Sequence, residues 1–277
     1  MDPELSLVPL HHAHAEPAFG GKAVSLGVAI RAGLPVPPGA ALGAAFVERA
    51  AVGDIAASEA LLSSPFIPEG RLAVRSSAVG EDSSDASFAG QHTTKLNITK
   101  PRLLDAVRVV WQSARTESAR AYRLRKGLPL ESRVGVVVQR LIEPVAAGVL
   151  FTRNPMTGAD ERLIEASWGL GEAVVNGSVI PDRARLDASG RVLEVTPGEK
   201  DIQVGYGDGD GIVEVPVEPS RRRQVCLKPT HLAGLHDLAE RCRGVWGGDL
   251  DLEWALGSDG QIYLLQCRPI TTLPTRA

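Results

Sequence analysis

Asp251 to Thr271, DLEWALGSDGQIYLLQCRPIT, consists of two runs of strand-forming residues around Gly257-Ser258-Asp259-Gly260. If that tetrapeptide is the hairpin loop, Leu256 opposes Gln261, Asp251 faces Gln266 and Glu253 faces Leu264. Side chains alternate along a strand, so Asp251, Glu253, Gln266 and Arg268 share one face. Leu252, Trp254, Tyr263, Leu265 and Cys267 share the other. One face is apolar and the opposite one gathers two carboxylates, an amide and a guanidinium. Hard oxygen donors side by side suit Mg²⁺, which completes its octahedron with phosphate oxygens and water, and an adjacent arginine suits phosphate. The same spacing fits a solvated sheet face with a cross-strand ion pair, and a slip of one residue would turn the polar set away from its partner. Spacing alone leaves both readings open.

Working outward, two further features have phosphate chemistry. Gly20-Gly21-Lys22 lets backbone approach an anion while the ammonium supplies a point charge, although the Walker A spacing fails and Ala23 stands where that loop has a hydroxyl. Arg75-Ser76-Ser77 sets a guanidinium and two hydroxyls at a strand end, an expected cradle. An ordinary glycine turn and a surface strand end account for these two as well. Gly169-Leu170-Gly171 does not continue into G-x-G-x-x-G, because Val174 holds the last position. Gly205 to Gly211 reads as a flexible turn, His11-His12-x-His14 as a solvated segment, and Arg221-Arg222-Arg223 as a solvated charge run. No G-x-S-x-G elbow organises a Ser-His-Asp triad.

The chain has 277 residues, enough for one large domain or two modest ones with a real core. Lys+Arg 30 against Asp+Glu 33 leaves a net charge of −3, so no overall basic field draws it to nucleic acid or an anionic membrane. No apolar run approaches the roughly 18 residues of a membrane span, and Asp2, Glu4 and Glu16 occupy a start that a signal peptide would keep basic and then apolar. Cys226, Cys242 and Cys267 fit neither a disulfide framework nor a zinc clamp. A reducing cytoplasm is expected, with each thiol a small buried hydrophobe.

A helix is expected over Ala23 to Ala32, closed by Gly33 and the prolines that follow, and a strand over Leu72 to Ala78. Apolar three- and four-residue steps predict a helix from Pro101 to Lys126, with Thr99 as its cap. Val134 to Ile142 and Ala147 to Thr152 are expected to pair as an antiparallel hairpin through Glu143-Pro144. Further strands are expected at Arg162–Ala166, Arg183–Asp187, Arg191–Val195 and Ile212–Val217, and a helix from about Thr230 to Val245. A helix-rich first half and strand-rich second half predict an α+β fold with lobes at 1–138 and 139–277.

Together these segments resemble the N-terminal ATP-binding domain of the phosphoenolpyruvate synthase and pyruvate phosphate dikinase family, which rifampicin phosphotransferases share. The matching text is GGKAVSLGVAIRAGLPVPPG from Gly20, AVRSSAVGEDSSDASFAGQ to Gln91, GVLFTRNPMTG to Gly158, EASWGLGEAVVNGSVIPD to Asp182, and the terminal hairpin. The resemblance implies an ATP-grasp fold whose lobes clamp ATP. It makes Lys22 and Arg75 phosphate contacts and Glu253 and Gln266 the Mg²⁺ ligands, with Asp251 and Arg268 beside them. Gln139, Arg140 and Leu141 become the hinge along the adenine, and Thr152, Arg153 and Glu172 line the cleft. Lys22, Arg75 and Arg268 would neutralise charge on the transferred group.

In that family the acceptor is a histidine on a separate swivelling domain, in a Thr-Ser-His type motif, and none of the six histidines here sits in one. A partner chain or domain carrying a phosphorylatable histidine is therefore expected. The alternatives are a free-standing ATP-grasp kinase or ligase acting on a small molecule, and a non-catalytic ATP-binding module. His92 follows the presumed phosphate loop, where a role near the γ-phosphate competes with an ordinary loop hydrogen bond. Between Gly53 and Arg71 the chain is shorter than the family's usual helical insertion.

Overall fold

The structure is a computed structural model that describes residues 2–79, 93–117, 121, 124 and 133–270. His92, the loop from Gly80 to Gln91 and most of the expected helix beyond Glu117 lie outside the described residues. The chain forms two units, one of Met1–Arg31, Pro37–Leu141 and Gly207–Gly211, the other of Ala32–Val36, Ile142–Tyr206 and Ile212–Ala277. A single division after residue 138 is simpler than this, because each unit also contains a short stretch from beyond that point. No helix of the described residues is long and apolar enough to cross a membrane.

The first unit is built on an antiparallel sheet of order β1-β2-β5-β3-β4, with β1 at Leu7–Pro9, β2 at Gly39–Leu42, β3 at Leu72–Ala78, β4 at Thr94–Ile98 and β5 at Val134–Arg140. Its helices are α1 (Glu16–Phe19), α2 (Gly21–Arg31), α3 (Ala44–Ala51), α4 (Ile55–Ser63) and α5 (Leu103–Ser113). Leu72, Val74, Val136 and Val138 point to one face, where Phe46, Val47, Leu61, Leu103, Val107 and Val110 close a core. Each such side chain contributes about 1.5–3 kcal/mol when taken fully out of water. Alternation sends Ala73, Arg75 and Ser77 of β3 to the opposite face, beside their β5 partners Gln139, Val137 and Gly135. A Cβ at Gly135 would stand 2.4 Å from the Phe19 carbonyl oxygen, so this glycine lets the end of α1 lie directly on the sheet.

Three expectations change in this unit. β5 and the strand after it do not form a hairpin: β5 lies between β2 and β3, whereas the next strand pairs in another sheet. Both are central strands of their sheets, and an apolar run carries no information about which strand lies beside it. Thr99 does not cap α5 with its side chain; a 3₁₀ turn, Lys100–Arg102, intervenes, and the Thr99 N–H donates to Asp210 Oδ1 at 2.9 Å. The expected flexible turn is exposed at residues 208–210, yet its stretch 207–211 is tied to the first unit by side-chain contacts. Asn97, left-handed at φ 58 and buried, donates from Nδ2 to the carbonyls of Gly209 (2.9 Å) and Gly211 (2.6 Å), while Arg71 lies 3.5 Å and Arg102 3.7 Å from the Asp210 carboxylate.

The second unit has a six-stranded antiparallel sheet of order β13-β12-β6-β7-β8-β9 and a two-stranded β10-β11. The strands are β6 (Pro144–Phe151), β7 (Glu161–Trp168), β8 (Asp182–Asp187), β9 (Val192–Thr196), β10 (Ile202–Tyr206), β11 (Ile212–Pro216), β12 (Leu250–Gly257) and β13 (Ile262–Pro269). A short helix α6 (Glu172–Val175) and a long one, α7 (Pro229–Trp246), complete it. α7 lies against β12 and β13 and buries Leu232, Leu235, Leu238, Ala239 and Cys242. All three cysteines are buried and none is in a disulfide. Burial, helped by the nearby Asp182 carboxylate, pushes the Cys226 thiol well above its ordinary range.

Asp182 ties this unit together. It is 3% exposed; one carboxylate oxygen accepts from the Gly198 N–H (2.8 Å) and from the wholly buried Lys200 ammonium, and the other from the Cys226 N–H (2.7 Å). Removing one partner strands the other charge in the interior, so Asp182→Asn is expected to cost about 3–5 kcal/mol, read from the urea midpoint at unchanged slope. Adding Lys200→Met to that variant should recover part of the loss. A double variant as unstable as the sum of the two single ones would show that the pair does not act as a unit.

Candidate functional site

In the first unit, Lys22 is the second residue of α2 and only 5% exposed, and Arg75 lies in the middle of β3 opposite Val137. Arg75, Ser77 and Gln139 share the sheet face that the α3–α5 core leaves uncovered. Ser76 does not join them: it opposes Val136 on the helix-packed face and is 2% exposed. Ser77 is fully buried, and its Oγ accepts the Ala23 N–H at 2.9 Å. The expected two-hydroxyl cradle is thus not formed: Ser76 lies on the other face and the Ser77 hydroxyl is engaged by the Ala23 N–H. Gln139 is also buried, its Nε2 donating to the Pro37 carbonyl at 3.1 Å. The Arg140 N–H donates to Pro38 O (2.9 Å) and the Leu141 N–H to Arg71 O (2.8 Å), so the three expected hinge residues are fixed by backbone on either side of β5. The Arg140 side chain is exposed and, opposite Leu72, lies on the other face from Gln139.

In the second unit the terminal hairpin differs in register from its sequence reading. Leu256 opposes Ile262, which makes the loop one residue longer, and a bulge between Glu253 and Trp254 follows. Past the bulge Glu253 opposes Gln266, Leu252 opposes Cys267 and Asp251 opposes Arg268. The four polar residues therefore do share a face, with pairings other than those expected. Tyr263 does not stay with Trp254: it opposes Ala255 and clusters with Ile142, Ala147 and Leu265, while the fully buried Leu264 takes the place opposite Trp254. The Leu264 N–H on the open side of β13 donates to Pro35 O at 2.8 Å.

Asp251 is the least comfortable group on this face. Arg268 donates to its Oδ2 from Nε (2.8 Å) and lies 2.7 Å away through Nη2. Oδ1 is buried with no hydrogen-bond partner among the described residues. Burial pushes the Asp251 carboxyl above the usual carboxylate range; Arg268 opposes that shift and the neighbouring Glu253 charge adds to it. Thr152 is fully buried, its Oγ1 accepting the Leu250 N–H at 2.7 Å, so it fixes the start of β12 beside Asp251. Arg153, expected to line the cleft, donates from Nε to Asp249 at 2.7 Å and ties the loop after β6 to the residue before β12. Glu172 opens α6, half-buried; burial chiefly, then the charges of Glu143 and Glu172, push the Tyr206 phenol above its ordinary range.

Among the described residues no group of three or more His, Cys, Asp or Glu side chains is arranged to hold a metal ion. A cation on the hairpin face would have two carboxylates and an amide, and an orphaned buried carboxylate oxygen is the kind of donor it would satisfy. That set fits Mg²⁺, which takes one or two carboxylates and leaves the rest of its shell to phosphate and water.

The model of the pyruvate phosphate dikinase AMP/ATP-binding domain matches residues 49–277. The chain belongs to that family. Lys22 lies N-terminal to the matched stretch. The chain is 37% identical over 302 aligned residues to a "Probable phosphoenolpyruvate synthase" of Methanothermobacter thermautotrophicus, covering 92% of this chain and 44% of that protein. It is 42% identical over 205 residues to a rifampicin phosphotransferase of a Streptomyces species, covering 73% of this chain and 23% of the other. The chain thus spans less than half the length of these curated relatives. Among solved structures, the VanG D-Ala:D-Ser ligase of Enterococcus faecalis aligns with 90% of this chain and 52% of its own at 12% identity and a TM-score of 0.45, too distant to bear on the site.

The Asp251 geometry has a pH signature. Its folded value lies above its unfolded one, so its contribution to stability is full below the unfolded value of about 3.8 and is lost as pH rises through the folded one. Without metal, Asp251→Asn should therefore compare more favourably with the wild type at pH 8 than at pH 4 in thermal melts. A difference that moves the other way would show that Arg268 outweighs the burial.

Proposed function

We propose that this chain binds Mg·ATP in an ATP-grasp arrangement and serves as the nucleotide-binding part of a dikinase-like phosphotransferase. It would pass a phosphoryl or pyrophosphoryl group to a histidine on a separate swivelling domain or partner chain. The observation that carries this reading is the hairpin face, where Glu253 and Gln266 stand directly opposite each other beside an Asp251 oxygen that lacks a partner among the described residues. Glu253 and Gln266 would hold Mg²⁺, with Asp251 and Arg268 next to them. Mg²⁺ supplies charge neutralisation at the phosphates.

Lys22 and Arg75 would act on the phosphates from the first unit, Gln139 to Leu141 on the adenine, and Thr152 and Glu172 as lining groups. Phosphoryl transfer asks mainly for positioning and for cations where charge spreads over the transferred group. The expected cations are Lys22, Arg75 and Arg268, and no covalent intermediate on this chain is needed. Membership of the dikinase ATP-binding family and the similarity to phosphoenolpyruvate synthases support the histidine acceptor. Similarity to rifampicin phosphotransferase supports a second reading, in which the group travels on to a small molecule.

ATP labelled at the β-phosphate, mixed with this chain and a histidine-bearing domain, should label the histidine and release AMP when the β,γ-pyrophosphoryl group moves to the imidazole nitrogen; transfer of the γ-phosphoryl group alone would instead label the histidine from γ-labelled ATP and release ADP. ADP with no labelled histidine would favour a simple kinase or ligase, and binding without product a non-catalytic module. Glu253→Gln should abolish Mg²⁺-dependent turnover with the fold intact by circular dichroism. Arg75→Ala should slow it by roughly 10²-fold or more, the scale of one lost electrostatic donor. Unchanged rates in both variants would refute the site assignment.

A further inference from the structure

Helix α2 begins at Gly21, directly after Gly20, so the position that caps it has no side chain. A helix leaves its first N–H groups without intrahelical partners, and a capping oxygen ordinarily takes the N–H of the second or third helical residue. Here the third residue, Ala23, donates its N–H to Ser77 Oγ at 2.9 Å, a side chain 54 residues away on β3. Ser77 is 0% exposed, so this bond does not compete with water.

Gly20 shows why the helix can come so close. Its φ is +80, and a Cβ there would stand 1.9 Å from the Ser77 carbonyl oxygen and 2.6 Å from Ser77 Oγ. Backbone therefore packs on backbone at Gly20, and a side-chain oxygen of the strand caps the helix three residues later. Lys22 lies between these two anchor points. Arg75 is two residues before Ser77 on the same strand and the same face, and β3 is paired on both sides, with β5 and β4.

We infer that Ser77 is a positioning residue: it fixes the start of α2 against β3 and so sets Lys22 relative to Arg75, for joint recognition of a nucleoside triphosphate. This inference rests on reading Lys22 and Arg75 as phosphate contacts. Two cations that must meet one chain of phosphates gain from a fixed separation, because ordering them at binding would otherwise subtract from affinity. Ser77 touches no ligand in this scheme and acts through the helix.

The test is a double-mutant cycle on Mg·ATP affinity, measured by calorimetric titration of the full chain, with Ser77→Ala, Lys22→Ala and the pair. Ser77→Ala alone should weaken binding by about 5- to 10-fold, the scale of one buried hydrogen bond. In the Lys22→Ala background the same substitution should change affinity less than twofold. Equal losses in both backgrounds would mean a general structural role and overturn the inference, as would no loss from Ser77→Ala alone. If Lys22→Ala itself leaves affinity unchanged, the phosphate reading of Lys22 falls and takes this inference with it. If Lys22→Ala weakens binding and Ser77→Ala does not, only the positioning role falls. Amide exchange in the unaltered protein gives a check that needs no variant: the Ala23 N–H should exchange far more slowly than an unbonded, solvent-exposed amide, and exchange at the unprotected rate would sink the cap.

Discussion

The polar face of the second unit depends on one extra residue in β13. The loop ends with Leu256 opposite Ile262, and that register, continued along the ribbon, would bring Cys267 opposite Asp251 and Leu265 opposite Glu253. Gln266 and Arg268 would then turn toward the face of Leu252 and Trp254, both almost wholly buried. An amide and a guanidinium on that face would each cost several kcal/mol without partners. The bulge between Glu253 and Trp254 absorbs the mismatch. It keeps Trp254 opposite Leu264 in the core and restores oxygen donors to the other side.

That same bulge shows what a sequence can and cannot tell. Alternation identified the four polar residues as one face because the expected and observed registers differ by an even number of positions there. Closer to the turn they differ by an odd one, and the reading of Tyr263 failed. β3 was legible to the residue because its apolar run ends in a recognisable loop, and α2 and α7 because glycine and proline bracket them. β5 and β6 were each legible as strands but not as members of different sheets, since buried central strands look alike from either neighbour's side. The short helices α3 and α4 escaped notice: α4 has little amphipathic periodicity, and α3, although amphipathic, is only 8 residues long.

The candidate site was legible as a set of residue types and not as a set of contacts. Lys22, Arg75 and the hairpin quartet stood out through charge and spacing. Ser77 stood out for the wrong reason, as a phosphate donor, because its true partner is a main-chain N–H, which leaves no mark on sequence. Thr152 and Gln139 are similar: their polar atoms are engaged by Leu250 N–H and Pro37 O, so each shapes the backbone around neighbouring candidates. Polar residues near a site divide into those aimed at a ligand and those that hold the former in place, and only coordinates separate them.

Asp251 illustrates how that separation is made. Several buried polar atoms lack partners among the described residues, including Trp111 Nε1, Trp254 Nε1, Ser167 Oγ and His236 Nδ1. The indole N–H and hydroxyl groups are uncharged dipoles, and burying one costs about 1–3 kcal/mol. A carboxylate oxygen is different, because the group carries a full charge whose burial is costlier unless it is paired and hydrogen-bonded on both oxygens. Arg268 serves Oδ2 and leaves Oδ1 bare, while Glu253 adds like charge from the same face. A fold that needed only stability would lower its energy by placing an amide or an apolar residue at 251. Under the proposed function, a cation held beside Asp251 and Glu253 would complete the set and offset that cost.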